Sequence, residues 1–265
     1  MFFNSLAFAI FLPLVFFLYW FVFNKTKNTQ NALLILASYY FYSCWDWRFL
    51  FLLVFSTFLD YYTGIQIEKS TNEKARKFWF WLSVIVNLGF LGVFKYFNFF
   101  SASFAQLLTS VGFKASPILL DVILPVGISF YTFQSMSYVT DVYRRELEPT
   151  QKAIDYLFYL SFFPQLVAGP IVRASEFIPQ IYQKLNLSRE DINSALFFIM
   201  GGVLKKAVIS DYISLNFVDR VFDAPNSYSA FENWMAAYGY AIQIYCDFSG
   251  YSDMAIGIAL LLGFK

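Results

Sequence analysis

The stretch Tyr240-Ala-Ile-Gln243-Ile-Tyr245-Cys246-Asp247-Phe248-Ser249-Gly250-Tyr251-Ser252-Asp253-Met254-Ala255 sets two carboxylates, an amide and several hydroxyls in a run otherwise apolar enough to cross a membrane. Residues four apart share a helix face, so Gln243, Asp247 and Tyr251 would line one stripe, with Asp253 about 120° away from Asp247. An Asp at the centre of a spanning helix costs about 2.5–3.5 kcal/mol on insertion scales. Two of them would cancel the insertion energy of several Leu or Phe residues, so the stripe suits a wet cavity or a bundle interior, not lipid. Orientation of a catalytic base or an acceptor hydroxyl is one role for the pair. Interhelical hydrogen bonding that fixes packing is the other.

Composition places that stretch in a membrane protein. Of the 265 residues, 58% are hydrophobic, 23% aromatic and only 14% charged, far more apolar than a soluble domain. The net charge of +1, with basic residues in short groups between apolar runs, argues against nucleic acid and for charge-determined orientation. The lipid bilayer is the partner that composition demands. Cys44 and Cys246 lie far apart, within or beside apolar segments, and read as packing residues rather than a disulfide pair. Histidine is absent, which removes the commonest general base and the commonest metal ligand. No Walker loop, G-x-G-x-x-G, C-x-x-C pair or histidine-based metal pattern occurs, so nucleotide, redox and metal readings have no support.

The chain divides into about eight hydrophobic segments. Residues 6–23 carry no charge and are followed by Lys25 and Lys27, which reads as a retained first span with its N-terminus outside. Segments 31–44 and 48–67 flank Trp45-Asp46-Trp47 and read as a short hairpin. Basic Lys69, Lys74, Arg76 and Lys77 precede an outward span at 78–100. Phe104, Leu107, Leu108 and Val111 follow helical spacing and suggest a separate short helix, at the interface or packed as a loop. Residues 119–140 would cross back, with Phe130, Gln134, Ser137 and Asp141 on one face. The run 153–172 holds Pro164, Gly169 and Pro170 at membrane depth. A plain helix does not accommodate these, so a broken or re-entrant segment, carrying Gln165 and ending at Arg173, is expected to line a cavity. Its return would leave Arg173, Lys184 and Arg189 in the cytoplasm with Arg144 and Arg145.

Ser188-Arg-Glu-Asp191 has the form of a capping box opening a helix over 192–214. That helix carries Gly201-Gly202 and then Lys205-Lys206, a basic pair that either marks topology or meets the phosphates of an acyl donor. An acidic loop over 219–232 would lie outside. The last run, 234–262, exceeds one perpendicular span and calls for tilt or a break near Asp247 to Gly250. Gly250 and Gly257, two turns apart, suit a close helix contact. Arg173 reads as an edge charge, or as a partner for Asp247 or Asp141. With no repeat or linker, residues 1–265 read as a single integral membrane domain, all-α and polytopic. The chain stops at Gly263-Phe264-Lys265, which reads as the N-terminal portion of a longer protein.

Three motifs, Leu124-PVGISFYTFQSMSYVTDVYR through Arg144, Phe163-PQLVAGPIVR through Arg173, and Gln243-IYCDFSGYSDMAIGIALLLGF through Phe264, resemble the membrane-bound O-acyltransferase family. Within it they are most similar to the bacterial alginate O-acetylation branch, with the D-alanyl transfer protein of teichoic acid a more distant relative. The resemblance implies a multi-helix bundle in the bacterial inner membrane. It also implies passage of an acyl group, acetyl in that branch, from a cytoplasmic thioester donor such as acetyl-CoA or an acyl carrier. The acceptor would be a hydroxyl of an exported polysaccharide, with an extracytoplasmic acetyltransferase of the same pathway as partner, and no bound cofactor or metal. The family's catalytic histidine lies in a Trp-Arg-Arg-Trp-His type segment that this chain does not contain. The resemblance therefore assigns Gln243, Asp247, Ser249, Tyr251, Asp253, Gln134, Gln165 and Arg173 to the cavity wall, not to the catalytic step, and predicts that residues 1–265 alone are inactive. A transporter or flippase, or a non-catalytic scaffold of an export complex, would also explain a polar-lined broken helix.

Overall fold

A computed structural model describes residues 3–114, 116–120, 124–183 and 185–265. Its described residues form an all-α membrane bundle without strands. Among them, Arg48–Lys69, Glu73–Ser110 and Arg189–Asp223 are long and apolar enough to cross a membrane by length and composition, and Leu6–Val22 is a shorter apolar helix. Packing divides the chain into two compact units, one comprising residues through Phe41 with Phe162–Val172 and Pro179–Lys265, the other Tyr42–Ser161 with Arg173–Ile178.

The helices in chain order are α1 (Leu6–Phe17), α2 (Lys27–Ser43), α3 (Arg48–Lys69), α4 (Glu73–Leu91), α5 (Phe97–Ser110), α6 (Ile128–Arg144), α7 (Ala153–Ser161), α8 (Phe163–Leu166), α9 (Ala174–Tyr182), α10 (Arg189–Val203), α11 (Asp211–Ile213), α12 (Asp219–Asp223) and α13 (Ala230–Leu261). Several are joined by wider π-helical turns: Leu18–Val22 extends α1, Gly92–Tyr96 joins α4 to α5, and Leu204–Ser210 with Ser214–Val218 carries α10 through α11 into α12.

In the first unit the core is aromatic. Phe163 packs at centroid distances of 5.4 Å on Phe11 and 5.6 Å on Phe41, and Phe3 stacks on Tyr251 at 4.4 Å. The expected break in 153–172 is present: α7 ends at Ser161, α8 is a single turn, and the chain is irregular from there to Arg173. Backbone freed by the break is satisfied inside the protein, as such backbone must be at membrane depth. The Phe163 amide donates to Ser38 Oγ at 3.1 Å and the Gly169 amide to the Gln165 carbonyl at 3.2 Å. A Cβ on Gly169 would stand 2.5 Å from Gln165 Cα, so only glycine fits that turn.

The second unit packs α3, α4, α6 and α7 around buried Leu53, Tyr131, Tyr138, Val142, Tyr156 and Tyr159. Tyr138 and Tyr156 lie 4.5 Å apart. α6 opens after Gly127, held at φ 77°, and closes on Arg145 at φ 64°. The Glu146 amide reaches back to the Asp141 carbonyl at 2.9 Å, the left-handed closure that satisfies the final carbonyls.

Three expectations change, and of the tilt or break expected in the last run the break is absent. The apolar residues at 104–111 do not form a separate helix. Nothing between Leu91 and Phe97 breaks the ladder, and the Gly92–Tyr96 π turn carries it through as one helix from Glu73 to Ser110. The helix expected over 119–140 starts only at Ile128, because Pro125 and left-handed Gly127 precede it; residues 121–123 lie outside those described, as does Lys184. The acidic region at 219–232 is helical through Asp223, where Ser214 Oγ donates to Asp219 Oδ2 at 2.6 Å and holds the turn. α13 runs unbroken for 32 residues, about 48 Å at 1.5 Å per residue. It contains no proline, and its N-terminus is fixed by a second capping box, Ser229 with Glu232. The Ser188–Asp191 box is present as expected.

Candidate functional site

The polar stretch of α13 packs against α10 and its π-helical continuation. The approach is closest at glycines: Gly202 faces Gly250, and a Cβ on Gly257 would stand 2.6 Å from the Ala195 carbonyl oxygen. Small residues at each crossing let the two backbones touch. A Cβ on Gly250 would also meet Lys206 N at 3.0 Å and Lys205 Cβ at 3.1 Å. α13 therefore sits in the saddle between two consecutive lysines.

Each lysine reaches around one side of that saddle. Lys205 Nζ pairs with Asp253 Oδ2 at 2.6 Å and donates to Ser249 Oγ at 3.0 Å. Lys206 Nζ pairs with Asp247 Oδ1 at 2.5 Å and with Asp211 Oδ1 at 2.8 Å. The 120° between Asp247 and Asp253 on an ideal helix is what lets neighbouring lysines serve one carboxylate each. The lysines stand on a π-helical stretch, the kind of irregularity that re-aims side chains at functional sites. Both contact protein carboxylates.

Above them, Ser210 Oγ donates to the Gln243 carbonyl at 3.0 Å, and Gln243 Nε2 donates to Ser214 Oγ at 3.0 Å. Gln243 Oε1 and the Tyr251 hydroxyl are buried without a hydrogen-bond partner. On the 243–247–251 stripe two unmet polar atoms thus flank a carboxylate whose side chain is 52% exposed.

Gln243, Asp247, Ser249, Tyr251 and Asp253 come together with Lys205 and Lys206 in the first unit. Gln165 is buried in α8 of that unit. Gln134 belongs to the second unit, where it is buried and donates from Nε2 to the Tyr159 carbonyl at 3.2 Å. Arg173 is exposed and has no ion pair among the described residues. No group of three or more Cys, Asp or Glu residues able to hold a metal occurs among the described residues. Sequence reading passed over Asp211 and Ser214, which looked like the tail of a span. It also passed over Asp60 in α3, a buried acid within an apolar run whose only sequence signal was its presence there.

These elements define an all-α membrane protein with lysine–aspartate pairs between two of its helices. Residues 144–265 match the model of MBOAT, the membrane-bound O-acyltransferase family. The chain is 37% identical over 257 residues to the probable alginate O-acetylase AlgI of Pseudomonas aeruginosa, covering 97% of this chain and 48% of that one. It is 36% identical over 283 residues to the peptidoglycan O-acetyltransferase of Helicobacter pylori, covering 96% and 53%. The teichoic acid D-alanyltransferase of Bacillus subtilis is 26% identical over 144 residues, 53% of this chain and 36% of that one. The match to the membrane-bound O-acyltransferase family thus falls on the part of the chain that carries α10, α13 and their lysine–aspartate pairs. It spans about half the length of the curated relatives it matches.

Proposed function

We propose that this chain forms part of an O-acyltransferase that moves an acyl group, acetyl by likeness to its relatives, onto hydroxyls of an exported polysaccharide such as alginate. The observation that carries the reading is that relatives named for O-acetylation of alginate and of peptidoglycan match 97% and 96% of this chain. Its setting is the bacterial inner membrane, crossed several times with the N-terminus outside. The donor is a cytoplasmic acyl thioester such as acetyl-CoA or an acyl carrier, and an extracytoplasmic acetyltransferase is the partner.

In this reading α10 and α13 are wall, not catalyst. The Lys205–Asp253 and Lys206–Asp247 pairs hold the charge that the polar stretch brings to membrane depth. The Gln243–Asp247–Tyr251 stripe orients a hydroxyl or an ordered water. Expression of the protein containing this chain in a host that exports alginate but lacks its own O-acetylase tests this. Acetyl esters on the polymer are expected, and Asp247→Ala should lower ester content more than membrane abundance. Equal loss of both assigns Asp247 to packing, and a polymer without esters despite abundant protein overturns the reading.

A further inference from the structure

A second polar centre lies in the other unit. Asp60, on the apolar helix α3, is fully buried. Its Oδ1 accepts from Ser83 Oγ at 2.5 Å and Asn87 Nδ2 at 2.8 Å. Its Oδ2 accepts from Asn87 Nδ2 at 3.0 Å and from Ser135 Oγ. Ser56 Oγ, 3.4 Å from Oδ2, donates to Asn87 Oδ1 at 2.7 Å. The Tyr156 hydroxyl stands 3.0 Å from Ser135 Oγ. Residues of α3, α4 and α6 thus converge on one carboxylate, Tyr156 of α7 stands behind Ser135, and among the described residues every group that touches the carboxylate is neutral.

The hydrogens balance for the anion. Tyr156 donates to Ser135, and Ser135 and Ser83 donate to the carboxylate. Asn87 donates one hydrogen to Asp60 and the other to the Ser83 carbonyl at 3.0 Å, while Ser56 donates to the Asn87 oxygen. A proton on Asp60 would require one of the serines to turn its own hydrogen away and accept, because the Asn87 nitrogen cannot accept it. In that arrangement the shell surrounds a buried negative charge with no basic side chain beside it among the described residues, a state that is costly until a proton or a cation arrives.

We propose that Asp60 anchors a binding site for a monovalent alkali cation. The atoms here able to give lone pairs to an ion are all oxygens: the carboxylate, the hydroxyls of Ser56, Ser83 and Ser135, and the amide oxygen of Asn87, whose nitrogen is a donor to the carboxylate. Oxygen without nitrogen or sulfur suits a hard ion. A single carboxylate neutralises one positive charge, so a divalent ion would leave the buried centre positive. A serine hydroxyl serves both states, giving its hydrogen to the carboxylate when the site is empty and its lone pairs to the ion when it is filled. A bound ion would lock α3 to α4 and α6.

Thermal unfolding of the chain in detergent micelles tests this, at fixed pH and ionic strength, in sodium, potassium and choline chloride. Sodium or potassium should raise the melting temperature saturably above choline. Asp60→Asn should abolish the rise, and Ser135→Ala should increase the half-saturating cation concentration about tenfold, equivalent to about 1.4 kcal/mol. If Asp60→Asn does not accumulate, Ser56→Ala and Ser135→Ala decide. Equal melting in all three salts, a rise retained by Asp60→Asn or left unshifted by both serine variants, or stabilisation that follows pH alone would overturn the proposal, the last by assigning the countercharge to a proton.

Discussion

Gly202 and Gly250 meet backbone to backbone: a methyl group on Gly250 would stand 2.7 Å from the Gly202 carbonyl oxygen, and one on Gly202 would stand 2.5 Å from the Gly250 carbonyl oxygen. Neither neighbour is a side-chain tip that could swing away. The approach also brings Lys205 and Lys206 within reach of Asp253 and Asp247, so helix packing and charge pairing depend on the same absent Cβ atoms.

Gly250→Ala must therefore push α13 off α10. Forcing a methyl into a packed contact costs about 1–3 kcal/mol, and a lower melting temperature is expected. Gly201→Ala is the control. A Cβ on Gly201 has nothing within 4 Å, and replacing a mid-helix glycine by alanine should stabilise by about 0.5–1 kcal/mol. Equal effects of the two substitutions would show that helix propensity, not the crossing, dominates.

Lys206 serves Asp247 and Asp211 together. Lys206→Met leaves both carboxylates without a cation, whereas Lys206→Met with Asp247→Asn leaves one. Lower membrane abundance is expected for the single variant than for the double. The Asp247 side chain is half exposed, so a coupling of about 1 kcal/mol is the expected scale in a double-mutant cycle of unfolding. A coupling of zero would mean that the pair is incidental to folding.

Sequence and structure agree where one local feature decides the outcome. Pro164 sits in the first turn of α8 just after α7 stops, Gly169 and Pro170 follow in irregular chain, and the segment is broken there as expected. Ser188 and Asp191 have capping spacing, and they cap. Gly250 and Gly257 suit a close crossing, and they form one. Agreement fails where the outcome depends on a neighbour. Gly250 could have bent α13, but α10 lies against it and the helix stays whole. Which lysine meets which aspartate depends on the width of the π turns from Leu204 to Val218, and hydrophobic periodicity carries no mark of these. The Asp60 centre draws on Ser56, Ser83, Asn87, Ser135 and Tyr156. Each is an unremarkable polar residue on its own helix and becomes a shell only once four helices pack.

At the start of α13, Glu232 Oε2 accepts from the Ser229 hydroxyl at 2.7 Å and the Ser229 amide at 2.8 Å. These two hydrogen bonds, the hydroxyl first, hold the Glu232 carboxyl below its usual range. A carboxyl lowered in the folded state adds stability above its unfolded value and loses it as pH falls through the folded one. The melting difference between wild type and Glu232→Ala should stay constant from neutral pH to about pH 5 and shrink below about pH 4. A difference that persists in acid would trace the effect to packing of the side chain.

The last prediction concerns the chemistry itself. A hydroxyl attacking a thioester needs a base that works near neutral pH, and this chain has no histidine. The carboxylates nearest to that role in α13, Asp247 and Asp253, are each paired with a lysine, at 2.5 and 2.6 Å. The purified 265-residue chain, given an acyl thioester and a hydroxyl acceptor, should show no transfer above the uncatalysed rate by product mass spectrometry. Transfer that survives Asp247→Asn and Asp253→Asn would place the base elsewhere in the chain, whereas transfer lost with either substitution would promote that carboxylate from wall to catalyst.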